Sequence, residues 1–318
     1  MARKIAFHLN CLEQGGAERV VSNLSNRFVQ NGYEVLVATE WQGEDEFWID
    51  ERVRRIHVGL REGDEKKPRF TQFLLRIRYL KQFLRQEKPD ILIPFARKAL
   101  YRGLTAAFFM KIPVLISIRT DPVGHYDRPF DRVQIPFLFP RADGCVFQTE
   151  GAREFFAPRL QKNSRIILNP LNPKYIGVPE PVQRTKTVVQ SGRLVDFKNQ
   201  VMLIRAFHEV HKKHPDYDLK IYGRDTGDGT KELLEKTIEE LDAKEYVHLM
   251  GASDSLEKQL ADAALFAFSS DWEGLPNALM EAMALGLPIV ATDCPCGGPR
   301  TIMTNEAVSY THLRAHET

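Results

Sequence analysis

The chain has 318 residues, of which 43% are hydrophobic and 27% charged, which is ordinary for a soluble globular protein of two domains. Its formal net charge of +2 hides an asymmetry, because residues 1–170 carry 28 Lys+Arg against 20 Asp+Glu and residues 171–318 carry 16 against 22. A basic first half fits an anionic partner, and membrane headgroups and nucleic acid are both anionic.

The sequence predicts neither a disulfide framework nor a membrane span. Cys11, Cys145, Cys294 and Cys296 form no Cys-x-x-Cys pair and have no clustered histidines, so disulfides and zinc are not expected and a reducing cytosol is favoured. Met1 runs almost directly into a strand, which predicts no signal peptide, and no apolar run has the length of a transmembrane helix. We expect a cytoplasmic protein that lies on membranes if it meets them.

A glycine-containing loop follows the first predicted strand. Residues 4–10 predict a buried strand, and residues 11–19 lead into an amphipathic helix that ends near Val29. Gly15 and Gly16 would let the backbone approach a ligand beside the helix amides, but a plain turn is the alternative. The spacing is not Gly-x-Gly-x-x-Gly, so a dinucleotide site is not favoured.

The rest of the first half alternates strands with helices, which predicts a parallel sheet with covered faces. Further strands are expected at residues 33–40, 54–58, 90–95, 114–119, 144–149 and 165–169. Arg119 and Asp121 come at the carboxyl end of their strand, where such sheets bind ligands. His125, beyond them, is expected to be solvated.

Residues 70–85 predict a long basic helix. Its apolar face consists of Phe70, Phe73, Leu74, Ile77, Leu80 and Leu84, and its other side carries Arg76, Arg78, Lys81 and Arg85. Such a helix either covers the sheet or, as the alternative, lies on an anionic membrane surface.

The second half begins after a linker at residues 171–185. Residues 187–199 predict a strand, a glycine turn and two cations, Arg193 and Lys198, ahead of a helix. An arginine can bind two phosphate oxygens and a lysine adds a point charge, so this turn predicts a phosphate site. Later strands are expected at residues 218–224 and 246–251.

Residues 264–292 predict a strand, a loop, a helix and a second strand. The helix is expected over residues 276–285, with Pro276 at its first position. Its free amides at Asn277 and Ala278 would face the crevice at the strand ends and favour an anion such as a phosphate.

Two carboxylates flank that anion site. Glu273 lies in the loop, and Glu281 lies eight residues on, about two turns along the helix. Carboxylates accept hydrogen bonds from hydroxyls, so the expected ligand is a polyol attached to a phosphate.

The run from Glu273 (Glu-Gly-Leu-Pro-Asn-Ala-Leu) through Glu281 (Glu-Ala-Met-Ala-Leu-Gly-Leu-Pro) resembles the Glu-x7-Glu signature of the family 4 glycosyltransferases. These are retaining enzymes of the GT-B fold. Gly-Gly-Ala-Glu-Arg from Gly15, Gly-Arg-Leu…Lys-Asn from Gly192 and Gly-Gly-Pro from Gly297 resemble further motifs of the family. The resemblance covers about residues 4–303.

The resemblance implies an α/β protein with two Rossmann-like parallel-sheet domains that face each other across a cleft. Residues 1–170 would form the acceptor-side domain and residues 186–308 an incomplete nucleotide-sugar domain. Residues 309–318 fit no continuation of the family, so we expect a truncated reading frame with a foreign tail. Because the missing helices would leave one sheet face bare, we expect this form to be poorly soluble and inactive.

The resemblance also assigns roles to individual residues. Arg193 and Lys198 would hold the donor diphosphate, Glu281 the ribose and Glu273 the transferred sugar. The expected catalytic residues are Arg193, Lys198, Glu273, Arg119 and Asp121, with no metal and no cofactor. The expected donor contacts are Gly15, Gly16, Arg193, Lys198, Met250, Gly251, Ala252, Ser253, Glu273, Gly274, Leu275, Asn277, Ala278 and Glu281.

The implied reaction moves a hexose or N-acetylhexosamine from a nucleoside diphosphate sugar, with UDP favoured, to an acceptor hydroxyl with retention of configuration. The expected acceptor is a lipid-linked saccharide in cell-surface polysaccharide or glycolipid synthesis. Peripheral contact with an anionic membrane is expected, and a nucleic-acid partner is not. The alternatives are a protein that binds nucleotide sugar without transferring it, or a GT-B epimerase or phosphorylase, for which no acid/base pair and no pyridoxal-bearing lysine site is evident.

Overall fold

The computed structural model describes residues 3–13, 15–126 and 128–303. The chain divides into two compact units, Met1–Ile167 and Leu168–Thr318, close to the predicted boundary after residue 170. The predicted foreign tail at residues 309–318 lies outside the described residues.

Unit 1 is built from parallel strands with helices between them. Its strands are β1 (Lys4–Leu9), β2 (Glu34–Thr39), β3 (Arg54–His57), β4 (Ile91–Pro94), β5 (Leu115–Ser117), β6 (Gly144–Phe147) and β7 (Ser164–Ile166). Its helices are α1 (Gly16–Gln30), α2 (Arg69–Glu87), α3 (Arg97–Ala106), α4 (Pro122–His125), α5 (Pro129–Leu138), α6 (Glu150–Glu154) and α7 (Pro158–Lys162). One sheet has the order β3-β2-β1-β4 and the other β5-β6-β7, and a parallel bridge between Leu92 and Val114 connects them.

Unit 2 contains one five-stranded parallel sheet in the order β10-β9-β8-β11-β12. Its strands are β8 (Thr187–Ser191), β9 (Asp218–Tyr222), β10 (Val247–Gly251), β11 (Leu265–Phe268) and β12 (Ile289–Ala291). Its helices are α8 (Gln200–His211), α9 (Thr230–Glu240), α10 (Leu256–Leu260), α11 (Asn277–Ala284) and α12 (Gly298–Ile302). Tyr175, which we expected in a linker, is buried in the core cluster that includes residues of β11 and α11.

The burial of α2 differs from the predicted apolar face. Phe70 is 72% exposed and Leu74 is 49% exposed, so both were assigned to the wrong side. Leu80 and Leu84 of the predicted face are buried as expected, and Phe83, which was not assigned to that face, is buried with them near the carboxyl end of α2. Within the described residues, no helix combines the length and the apolar character needed to cross a bilayer.

A buried charge cluster lies at the carboxyl end of β2. The carboxylate of Glu40 is 1% exposed and pairs with both Arg76 and Arg102. Arg102 Nη2 also donates to Asn10 Oδ1 at 2.5 Å, and burial lowers the pKa of Arg102 to about 9. The expectation that Arg76 lies on the solvent side of α2 is therefore wrong. A carboxylate taken out of water needs cationic partners, and Arg76 is one of them.

Replacing the charge of Glu40 should destabilise unit 1. Glu40→Gln leaves Arg76 and Arg102 without their counter-charge, so we expect a loss of about 3 kcal/mol in the free energy of unfolding, measured by denaturant titration. The matched control is Glu239→Gln, which removes an exposed pair with Lys244 and should leave stability nearly unchanged. Similar losses in the two variants would contradict this account.

Candidate functional site

The strand order of unit 2 creates a crevice between β8 and β11. After β8 the chain forms β9 on one side, whereas β11 pairs with β8 on the other side. Open parallel sheets bind ligands at the carboxyl ends of strands where the connections diverge in this way. A 3-10 turn, Asp196–Lys198, follows β8, and the loop of residues 269–276 follows β11.

An ion pair joins this turn to this loop. The ammonium of Lys198 pairs with the carboxylate of Glu273, and the two side chains are only 12% and 18% exposed. Gly192 leaves room for the lysine side chain, because a Cβ at this position would lie 3.3 Å from Lys198 Cε. Its backbone φ of +154° also favours glycine. The cation predicted for phosphate and the carboxylate predicted for sugar hydroxyls therefore meet in one place.

Hydrogen bonds hold the two segments in register. Ser269 Oγ donates to the carbonyl of Lys198 at 2.8 Å, and the amide of Asp271 donates to the carbonyl of Phe197 at 2.9 Å. Asn199 Nδ2 donates to Asp271 Oδ1 at 2.7 Å. These contacts fix the backbones on both sides of the ion pair, so its geometry does not depend on two flexible side chains alone.

An aromatic stack covers the same junction. The rings of Phe197 and Trp272 lie 4.1 Å apart with an interplanar angle of 21°. Both residues immediately precede a member of the ion pair in the chain, so the stack limits the movement of Lys198 and Glu273 as well.

The segment before α12 supports the loop from behind. Cys296 Sγ donates to the carbonyl of Glu273 at 2.8 Å. Gly298 approaches so closely that a Cβ there would lie 1.9 Å from the carbonyl oxygen of Gly274. This glycine-rich turn therefore has a structural role, because only glycine allows such close backbone contact with the loop.

Helix α11 begins one residue later than predicted. Pro276 has φ −76° and ψ 110° and serves as the N-cap, because an extended ψ ends the helix on that side, so its assignment to the first helical position was wrong. Asn169 Nδ2 donates to Asn277 Oδ1 at 2.8 Å and to the carbonyl of Leu275 at 3.3 Å. Glu281 is buried on α11, while Ala278 is half-buried near the helix start.

Arg193 is placed differently from Lys198. Its side chain is exposed, and within the described residues no ion pair to its guanidinium is found, while its carbonyl accepts from Gln200 Nε2 at 3.0 Å. The backbone is therefore fixed and the guanidinium remains available to a ligand. Four of the expected donor contacts lie at the end of edge strand β10, two strands from β8, and are Met250, Gly251, Ala252 and Ser253.

In unit 1 the predicted residues lie at strand ends as expected. Gly15 is the N-cap of α1 and Gly16 its first residue. Arg119 is half-buried 5.8 Å from the ring of Phe95, and desolvation lowers its pKa to about 10. Asp121 is buried and caps α4 through the amide of Val123, and burial raises its pKa. The structure gives Asp121 a capping role.

A second set of residues at this end of unit 1 was not predicted. Asp131 is fully buried and accepts from both Arg97 and Tyr101. Ala96, at the start of α3, has φ 68° and ψ 149°, a conformation that is otherwise almost confined to glycine. No pattern in the sequence signals either feature. His125, expected to be solvated, is half-buried in this region.

Exchanging the partners of one hydrogen bond tests the junction in unit 2. Asn199 adopts φ 47° and caps α8 by accepting from the amide of Met202 at 3.3 Å. Asn199→Asp keeps this cap but places two carboxylates together, so we expect a loss of about 1–2 kcal/mol in the free energy of unfolding. Adding Asp271→Asn restores one amide-to-carboxylate bond and should recover most of the loss in denaturant titrations. A double variant as unstable as the single one would contradict the contact.

Two family models match the chain. The model described as Glycosyltransferase Family 4 matches residues 14–175, and the model described as Glycosyl transferases group 1 matches residues 173–311. Together they span both units, and the second includes the whole junction between Lys198 and Glu273.

Curated relatives and solved structures agree with these models. An uncharacterized glycosyltransferase of Methanocaldococcus jannaschii is 27% identical over 81% of this chain and 69% of its own. The N-acetylgalactosamine-N,N'-diacetylbacillosaminyl-diphospho-undecaprenol 4-alpha-N-acetylgalactosaminyltransferase of Campylobacter jejuni is 27% identical over 93% and 82%. The crystal structure of Anabaena HepE with UDP and glucose matches with a TM-score of 0.77 at 18% identity, covering 94% of this chain and 82% of that one. The chain therefore belongs to the group 1, family 4 glycosyltransferases, has the GT-B fold and is a transferase.

Proposed function

We propose that this glycosyltransferase moves a hexose or N-acetylhexosamine from a UDP-sugar to a hydroxyl of a lipid-linked saccharide, with retention of configuration, in cell-surface polysaccharide or glycolipid synthesis. The observation that carries the proposal is the pairing of Lys198 with Glu273 in the crevice between β8 and β11. A cation suited to a diphosphate and a carboxylate suited to sugar hydroxyls would then both be within reach of the bond between the sugar and the diphosphate.

The leaving diphosphate would be held by Arg193, Lys198 and the first amides of α11. The exposed guanidinium of Arg193 can bind two phosphate oxygens, and the helix start adds partial positive charge. Negative charge grows on the diphosphate as the sugar leaves, so fixed positive groups lower the barrier most where they face it. We propose that these groups act without a metal ion or a further cofactor.

The hydroxyls of the donor would be held by the two carboxylates. Glu281, buried on α11, would accept from the ribose, and Glu273 from the transferred sugar. In the transfer the bond from the anomeric carbon to the phosphate oxygen breaks and a bond to the acceptor oxygen forms on the same face. The acceptor proton passes to the departing phosphate oxygen, so no protein nucleophile is needed.

The nature of donor and acceptor is supported by the relatives. The Campylobacter jejuni enzyme is named for a diphospho-undecaprenol acceptor, and Anabaena HepE was crystallised with UDP and glucose. A lipid-linked acceptor would place the enzyme at the cytoplasmic face of a membrane. Arg119, beside Phe95 in unit 1, is the candidate contact for sugar and acceptor, with Asp121 positioning α4 next to it.

Transfer is tested with a panel of nucleotide sugars and undecaprenyl-linked saccharides. We expect release of UDP and a product whose anomeric configuration, read by NMR, equals that of the donor. Arg193→Ala should lower turnover by about 10²-fold, whereas Arg205→Ala, an exposed arginine on α8, should not. An inverted product, or activity that chelators abolish and a divalent metal restores, would contradict the proposed mechanism.

Two equivalent substitutions should change UDP affinity in opposite directions. In Glu273→Gln the ammonium of Lys198 loses its carboxylate partner and becomes available to phosphate, so UDP should bind about threefold to tenfold more tightly, while sugar transfer falls. In Glu281→Gln the ribose loses a charged acceptor, so UDP should bind about tenfold more weakly. Calorimetry measures both values. Weaker UDP binding by Glu273→Gln would show that the ion pair does not compete with the diphosphate.

A further inference from the structure

One phenylalanine in unit 1 is presented to solvent by a strained backbone. Phe109 follows α3, is 93% exposed, and has φ 65°. A bulky residue rarely adopts this conformation, because its Cβ approaches the backbone. This backbone conformation costs free energy, and no burial of the ring offsets the cost because the ring lies in water.

Neighbouring side chains extend this ring into a patch. Phe108 packs against Phe109 with ring centroids 4.1 Å apart. The guanidinium of Arg141 lies over the ring of Phe108 at 4.6 Å and over that of Phe137 at 4.0 Å. Phe137 is 59% exposed, and Val133, one turn earlier on α5, is 74% exposed. We call these five residues, Phe108, Phe109, Val133, Phe137 and Arg141, the aromatic patch.

The part of the chain that carries the aromatic patch has mostly positive exposed charges. Within the described residues between 105 and 143, the exposed cations are Lys111, Arg128, Arg132 and Arg141. The exposed carboxylate in the same part of the chain is Asp143, whereas Asp121 and Asp131 are buried and bonded. The segment that presents these exposed aromatic and aliphatic groups is therefore cationic, and Arg141 contacts two of the rings directly.

We propose that the aromatic patch is the surface through which unit 1 inserts into the interface of an anionic membrane. Phenylalanine and valine side chains enter the boundary between headgroups and acyl chains, and cations near them bind anionic headgroups. Arg141 fits both environments, because its guanidinium covers two rings and can still face phosphates. The inference deepens the proposed function, since a lipid-linked acceptor lies in such a surface.

The patch accounts for membrane contact better than α2 does. Of the cations on α2, Arg76 is engaged in an ion pair with Glu40 and does not face solvent as a free cation would. Phe70 is exposed on α2 as well, but no described aromatic ring packs against it and its backbone is helical. Variants at the aromatic patch and on α2 therefore distinguish the two surfaces in one vesicle-binding experiment.

The test is co-sedimentation of the full chain with vesicles of phosphatidylcholine alone or mixed with phosphatidylglycerol. We expect binding to the anionic vesicles that weakens with added salt. Phe109→Gly, which suits the backbone at this position, should reduce the vesicle partition coefficient about tenfold, as should Phe137→Ser. Phe70→Ser is the matched control on α2 and should leave the partition coefficient unchanged.

Several outcomes would overturn the inference. These are equal binding to both vesicle types, no binding at all, or a loss that follows Phe70→Ser and not Phe109→Gly. Self-association of the wild-type chain that Phe109→Gly abolishes, without vesicle binding, would identify a protein interface instead. Vesicle binding without transfer to a lipid-linked acceptor would contradict the proposed function alone, and transfer to a detergent-solubilised acceptor without vesicle binding would contradict this inference alone.

Discussion

The ion pair between Lys198 and Glu273 joins residues 75 positions apart in the chain. It depends on the order of strands in unit 2, because β8 and β11 are neighbours in the sheet although β9 and β10 lie between them in sequence. Bringing distant segments together costs conformational entropy, which the burial of apolar residues must offset. In unit 2 this burial comes from the apolar residues of β8, β11 and their covering helices, so the charged pair itself need not stabilise the fold.

The pair is also where the electrostatics of unit 2 are concentrated. The second half of the chain has six more acidic than basic residues by the counts 22 and 16, so its long-range field repels a diphosphate. Attraction must therefore come from groups at contact distance. We propose that Arg193 and Lys198 supply this attraction over a few ångströms. The side chain of Lys198 is only 12% exposed, so its Coulomb interactions are stronger than those of a fully solvated surface charge. If unit 2 binds a diphosphate as proposed, local preorganisation of these groups and not net charge would make it do so.

Sequence patterns were sufficient where the physics is local. Apolar runs separated by glycine and proline turns predicted the parallel strands, and the strand-loop-helix pattern predicted the positions of Glu273 and Glu281. Sequence patterns failed where the environment of a residue depends on a partner that is distant in the chain. The sequence pattern predicted a solvated Arg76, which pairs with Glu40, and a linker at Tyr175, which is buried in the core of unit 2. The contact between Lys198 and Glu273 likewise needed the strand order, because no spacing along the chain specifies it.

In unit 1, as in unit 2, the strand order brings together segments that are distant in the chain, and here one of them has a strained backbone. Its strand order β3-β2-β1-β4 makes the connections diverge between β1 and β4. Gly15 lies beyond β1, and Ala96 lies beyond β4 in a conformation costly for any residue with a Cβ. Such strain persists only where surrounding bonds outweigh it, and here Arg97, the next residue, is anchored by buried Asp131. A glycine at position 96 would have removed the strain but also loosened the start of α3, which aims Arg97 at Asp131. The strained alanine therefore stands directly before an anchored residue, at the carboxyl end of β4, where open parallel sheets bind ligands.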